Sequence, residues 1–343
     1  MWHKALWKYH FKKSGWLIGG TWLGSLLLLF FIIGGNLVHQ FYQFTLNGHS
    51  PIRLNFIEIF GIHLIGVALL SILLLSNERN EKGLEHLLVF PFKRSTIYWS
   101  KWFYGVFTIS GLILSNAFVI VFQFFNSPVN HRISFLSFIP FFALSFLALL
   151  TVFTFMLMIG MIAGTKISHG VLGLVGMILP FGLVMLAVRI IGMHLEWLNS
   201  YSWSVINFIT GIFVQLLYQI TLVLTLEFSL VITVISTDIL WLSEGNHIWV
   251  FICYLVFSLL IGYFLFVKNP MERNGNLVIY PKLEPFIRWS FIILTALTIS
   301  GLFINQLWGQ IWIQALVFYG IFLTSSVVLY FLLKQFGRKN NAT

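Results

Sequence analysis

The sequence predicts an all-α, polytopic membrane protein of about eight transmembrane helices, led by an N-terminal interfacial elbow helix. Three observations predict it. Hydrophobic residues make up 59% of the 343-residue chain and charged residues only 9%, with a mean hydropathy of +0.92, against about 25% charged residues in ordinary soluble domains. Apolar runs of about 20 residues recur along the chain, the length that carries a helix across roughly 30 Å of hydrocarbon. These runs are continuously apolar rather than alternating, which argues against a transmembrane barrel.

Residues 1–13 place Lys4, Lys8 and Lys12 on one helical face and Trp2, Leu6 and Tyr9 on another, the pattern of a helix lying along the inner leaflet or of a basic flank that fixes topology. The apolar run from Trp16 to Val38 is too long for the apolar core of a cleaved signal, about 7–15 residues, so it is expected to be the first span. Gly15, Gly19, Gly20 and Gly24 have the spacing that lets helix backbones approach closely, and packing within one subunit is the expectation. An outer loop over 40–53 and a second span from Leu54 to Leu75 follow. Glu58 and His63 in that span are ionisable groups that are expensive at membrane depth, and so are candidate pathway residues. The alternatives are an interfacial carboxylate near Arg53 for Glu58 and an interhelical hydrogen bond for His63.

Beyond a charged central loop over 76–101, spans are expected from Trp102 to Phe125, from Ile139 to Ala163 and, after a tight turn at 165–169, from Leu172 to Ile191. Pro180 in the last of these removes a backbone donor and favours a kink. The segment 196–247 is apolar, but a single crossing there would reverse every later loop. It is read as an outer re-entrant hairpin or membrane-lying helices. Ile248 to Val267 closes a core over 14–267. A late loop, two further spans (Trp289 to Ile304 and Ile311 to Leu333) and a basic tail complete 268–343. Cys253, the only cysteine, lies within an apolar run, so no internal disulfide forms, and a small core residue is the expectation.

Charge orients this map. The net charge of +10 would suggest nucleic acid on a soluble fold, but in a membrane protein it reports which loops stay in the cytoplasm. Of 20 Lys and Arg residues, only Arg53, Arg132 and Arg189 fall on the outer side when both termini are inside the cell membrane. No nucleic-acid partner is expected; the partners implied by composition are membrane lipids.

No phosphate-cradling G-x-x-x-x-G-K-[ST] loop, no H-E-x-x-H pair and no Cys/His metal spacing occurs, so the chain carries no visible means of hydrolysing nucleotide or holding zinc. The densest charge lies in the central loop. There Glu78, Arg79, Glu81, Lys82, Gly83, Glu85, Leu87 and Leu88 precede Pro91, Lys93 and Arg94, with Lys101 opening the next span. A short helix over this segment would carry Leu84, Leu87 and Leu88 on one side and Glu81, Lys82 and Glu85 on another, an apolar ridge whose flanking charges set register in a partner's groove.

This ordered Glu-Arg, Gly, Glu, Leu-Leu, Pro and Arg pattern resembles the first cytoplasmic loop of type-2 ABC transporter permeases. The late loop, Lys268 to Gly275, is similar to a feature of an eight-span subgroup from Gram-positive bacteria. The resemblance implies a permease subunit with no ATPase site or cofactor of its own. It also implies two partners: an ABC ATP-binding subunit, which holds ATP and magnesium, and a second permease subunit. Glu78, Arg79, Glu81, Lys82, Gly83, Glu85, Leu87, Leu88, Pro91 and Arg94 become the residues of a coupling helix. Two spans beyond the family's usual six and the apolar 205–242 region depart from its pattern. A translocation interface rich in Phe, Leu and Trp favours amphipathic or lipid-like cargo, such as a peptide antibiotic. Two other readings stand beside it: an integral membrane enzyme acting on lipid with Glu58, His63 or Glu227 as acid or base, and an ion-coupled secondary transporter, for which mid-span acids are scarce.

Overall fold

The computed structural model describes residues 4–47, 52–55, 57–77, 92–126, 139–177, 229–232, 234–235, 238–239, 246–269, 278–280, 282–304 and 311–340. Its framework is helical. Helix α1 spans Lys4–Asn47 and α2 spans Ile57–Ile72, ending in a π-helical turn, Leu73–Asn77. Helices α3 (Arg94–Phe125) and α4 (Ile139–Ile162) follow, and α5 opens at Lys166. Later come α6 (Asn246–Val267), α7 (Glu284–Ile304) and α8 (Ile311–Asn340). Among the described residues, the stretches 4–31, 94–123 and 142–162 are long and apolar enough to cross a bilayer, and four shorter apolar helical stretches accompany them. With the composition, this makes the chain a helical membrane protein.

The chain divides into two compact units, residues 1–174 with 222–279 and residues 175–221 with 280–343. In the first, α4 is the central helix: Ala148, Leu149, Val152, Phe153, Met156, Leu157 and Met161 are all buried. Glycines admit its neighbours. The Phe153 ring lies against Gly105 of α3, and a Cβ at Gly262 of α6 would lie 3.4 Å from the Met158 backbone. Tyr98 of α3, fully buried, donates to the Leu259 carbonyl of α6 at 3.2 Å, and Trp102 donates to Thr154 of α4 at 3.1 Å.

The outward faces are apolar. On α1, Trp16, Leu23, Leu27, Phe30 and Phe31 are exposed, and on α3 Phe107, Leu114, Phe118, Phe122 and Phe125. Such stripes at helical spacing are an anomaly in water but the ordinary lining of a helix in lipid, where backbone groups are satisfied within the helix and side chains meet hydrocarbon. Cys253 belongs to this class. Expected in the core, it is exposed, on the α6 face that also carries Val256, Phe257, Leu260 and Phe264, while Phe251 turns inward.

Two further expectations change. The N-terminal helix is not separate: α1 runs through residues 13–16 without a break, with Lys4, Lys8 and Lys12 exposed and Leu6, His10, Ser14 and Leu17 buried. Neither Pro nor a cap stands there, and the Ser14 hydroxyl bonds back to the His10 carbonyl at 2.8 Å, leaving the backbone ladder intact. Among the described residues, three of the four small residues named in α1 meet no neighbour either. A Cβ at Gly19, Gly20 or Gly24 meets nothing within 4 Å, and the close approach of α1 to α2 occurs instead where Thr21 faces Gly66.

Short strands complete the first unit. β1 (Ile52–Asn55) pairs antiparallel with β2 (Ser229–Ile232), Arg53 opposite Val231, and β3 (Val234–Ile235) pairs with β4 (Asp238–Ile239). β-Branched residues dominate 229–239, which favours extended backbone. Within the expected re-entrant region, 196–247, the structure describes these strands and the first two residues of α6; the rest lies outside the described residues. In the second unit α7 and α8 pack on each other, Trp289 stacking on Tyr330 at 5.8 Å. Glu284 and Arg288 form an exposed i,i+4 pair at 2.8 Å, worth a few tenths of a kcal/mol.

Candidate functional site

The first unit gathers its polar side chains in two places. One lies where the central loop leaves and re-enters the helices. Helix ends carry carbonyls without an intrahelical partner, and here side chains from other helices take them. Arg94, at the start of α3, donates through Nη1 to the Val267 carbonyl at 3.1 Å and the Asn269 carbonyl at 3.2 Å, capping the C-terminal end of α6. Lys101, one residue before the expected span and fully buried, donates to the carbonyl of Leu74 in the π-turn of α2. A cation at a helix C-terminus is favoured by the macrodipole, and π-turns, which shift carbonyls out of register, recur at functional sites.

Two residues beyond Leu74, Ser76 meets His169 of α5 at 2.6 Å, and the other ring nitrogen of His169 lies 2.8 Å from the Met156 carbonyl of α4. A carbonyl only accepts, so Nε2 carries the proton, and in the neutral ring Nδ1 accepts from the Ser76 hydroxyl. Gly160 makes room for the ring: a Cβ there would lie 2.5 Å from His169 Cε1. The late loop joins the same end, with Ile279 N–H donating to the Ile162 carbonyl at 2.8 Å beside an Ala163–Val278 bridge. On the near side, His10 Nε2 lies 3.2 Å from Ser100 Oγ, and Tyr104 donates to Ser14 at 2.9 Å. Thus the start of α3, the ends of α2, α4 and α6, the turn before α5 and the first third of α1 meet in one junction. The β1–β2 pair lies at the other end, between α1 and α2.

No protein-family model, no curated protein and no solved structure matches this chain.

Of the ten residues named for the coupling helix, Arg94 alone is described. Glu78, Arg79, Glu81, Lys82, Gly83, Glu85, Leu87, Leu88 and Pro91 lie outside the described residues, as does the side chain of Glu58. The junction adds Ser76 and His169, which the sequence does not single out, and gives Lys101, read there only as opening a span, a backbone partner. A Lys at a loop edge looks like any topological charge until the carbonyl it meets is known.

The second polar place is mid-bundle. His63 of α2, 4% exposed, accepts from Asn116 Nδ2 of α3 at 2.8 Å, and Asn116 Oδ1 accepts from Ser25 of α1 at 3.3 Å, a hydroxyl shared with the Trp22 carbonyl at 2.9 Å. His63 is thus in an interhelical hydrogen bond, one of the alternatives its position suggested. Among the described residues no group of three or more His, Cys, Asp or Glu comes together as a metal site would require.

Proposed function

We propose that this chain is the membrane-spanning permease subunit of an ATP-binding cassette transporter, moving an amphipathic or hydrophobic substrate across the cell membrane while a separate ATPase subunit hydrolyses nucleotide. In this reading the chain crosses the membrane about eight times, both termini are cytoplasmic, a second permease completes the pathway, and residues 76–101 form the coupling loop. The pattern of charges, Gly, Leu-Leu and Pro in that loop supports the reading. One observation carries it further: both ends of the loop are anchored in the polar junction, Ser76 on His169 and Arg94 on the end of α6, with Lys101 returning to Leu74. A loop held at both ends by side chains from several helices transmits displacement to the bundle instead of absorbing it, because packed helices move as bodies.

The test uses the ATP-binding subunit expected to co-purify with the full chain. Glu85→Ala and Leu88→Ala, on the ridge meant for the partner's groove, are expected to weaken its association by about 2 kcal/mol or more, the scale of a buried hot spot. Lys82→Ala serves as a milder rim control. Membrane insertion should be unaffected in all three. Unchanged association and transport in both ridge variants would end the coupling-loop reading.

A further inference from the structure

Beside the His63 relay, α1, α2 and α3 leave a cavity of about 20 Å³ lined by Thr21, His63, Gly66 and Thr108 among apolar side chains. Gly66 lets Thr21 cross closely at its edge: a Cβ there would lie 2.6 Å from the Thr21 methyl. A cavity holds water when it offers about one probe sphere of space, roughly 10–15 Å³, and two to four polar partners; apolar cavities of similar size stay dry. The volume meets the first condition.

The second follows from what each polar group has left to offer. Thr21 Oγ1 donates within its own helix, 3.0 Å from the carbonyls of both Leu17 and Ile18, and Thr108 Oγ1 donates to the Tyr104 carbonyl at 2.9 Å. Both hydroxyls therefore present lone pairs. His63 is the reverse. The Asn116 amide nitrogen can only donate, so Nε2 accepts and the ring proton sits on Nδ1. The residues lining the cavity thus offer two acceptors and one donor.

We propose that this cavity is a binding site for a single structural water, which accepts from His63 Nδ1 and donates to Thr21 and Thr108. The complement is selective. A lipid or substrate hydroxyl donates only once, and an acyl chain donates nothing, so each would leave a buried acceptor unsatisfied. The water extends the Ser25–Asn116–His63 relay into a bridge joining α1, α2 and α3, with a link that exchanges rather than a side-chain bond that does not.

The test is water-edited solid-state NMR on the full chain in lipid nanodiscs, with labelled His and Thr and the His63 signals assigned by their loss in His63→Gln. The expected result is an Nδ1-protonated His63 with a cross-peak to water, and loss of that cross-peak in Thr21→Val and in Thr108→Val while the tautomer persists. A wild-type His63 with no water cross-peak overturns the proposal, whether or not either valine variant folds. A lipid-chain cross-peak in its place, an Nε2-protonated ring, or a water cross-peak unchanged in both valine variants does the same.

Discussion

The two polar places in the first unit solve the same problem by different means. At the loop-end junction, the cations bond to backbone at helix ends: Arg94 to Val267 and Asn269, Lys101 to Leu74. In mid-bundle, side chains bond to one another across helices, Ser25 to Asn116 to His63. The difference comes from the backbone. Carbonyls at a helix end have no intrahelical donor, so one cation satisfies them. Carbonyls in mid-helix already have theirs and can only be shared, as Leu259 is with Tyr98, so polar side chains there also pair with one another. A junction built on backbone ties whole helices together, whereas a side-chain relay ties only the residues in it. Removing a junction donor is therefore expected to cost more than breaking the relay.

The largest effect is expected at Lys101. Lys101→Met keeps most of the apolar stem but removes the donor from the buried Leu74 carbonyl. The expected loss is about 2–3 kcal/mol, the cost of leaving a buried group unpaired after losing a charged partner. Unfolding in detergent, followed by temperature or denaturant, measures it. A loss below about 1 kcal/mol would remove the distinction between helix-end and mid-helix polar groups.

How far this could be read from the sequence depends on what each feature needed. Helix positions were legible wherever an apolar run had clear ends: the expected spans at 139–163 and 248–267 coincide closely with α4 and α6. α3 begins at Arg94 rather than Trp102 because polar Ser95, Thr96 and Ser100 read as loop, yet Tyr98 and Ile97 beside them are fully buried and hold the turn helical. The site was less legible. His63 stood out because an isolated ionisable group in an apolar run is conspicuous. Asn116 and Ser25 did not, since a polar uncharged residue in a span gives no sign of its partner 91 residues away. His169 and Ser76 are likewise joined only by the fold, across 93 residues.

Breaking the relay tests the other side of the comparison. Asn116→Leu removes both interhelical bonds while keeping side-chain volume, and the expected loss is about 1 kcal/mol, since hydrogen bonds between membrane helices average about 0.6 and reach about 1.7 kcal/mol. The comparison is sharpened by measuring it in the same detergent as Lys101→Met. Equal losses would mean that the relay ties whole helices as firmly as the junction does.

The smallest effect is expected where α1 has neither kind of contact. A Cβ at Gly20 meets nothing within 4 Å, whereas one at Gly66 runs into Thr21. Alanine adds one methyl and relieves the conformational freedom that glycine brings to a helix, a gain of up to about 1 kcal/mol. Gly20→Ala is therefore expected to be neutral or slightly stabilising for the isolated chain. The same substitution measured in native membranes sharpens the point, because there the face is in its working surroundings. A loss of about 1 kcal/mol or more that appears only in the membrane would mean that another helix lies against this face and needs the absence of a side chain, since lipid tails yield to a methyl group and a packed backbone does not.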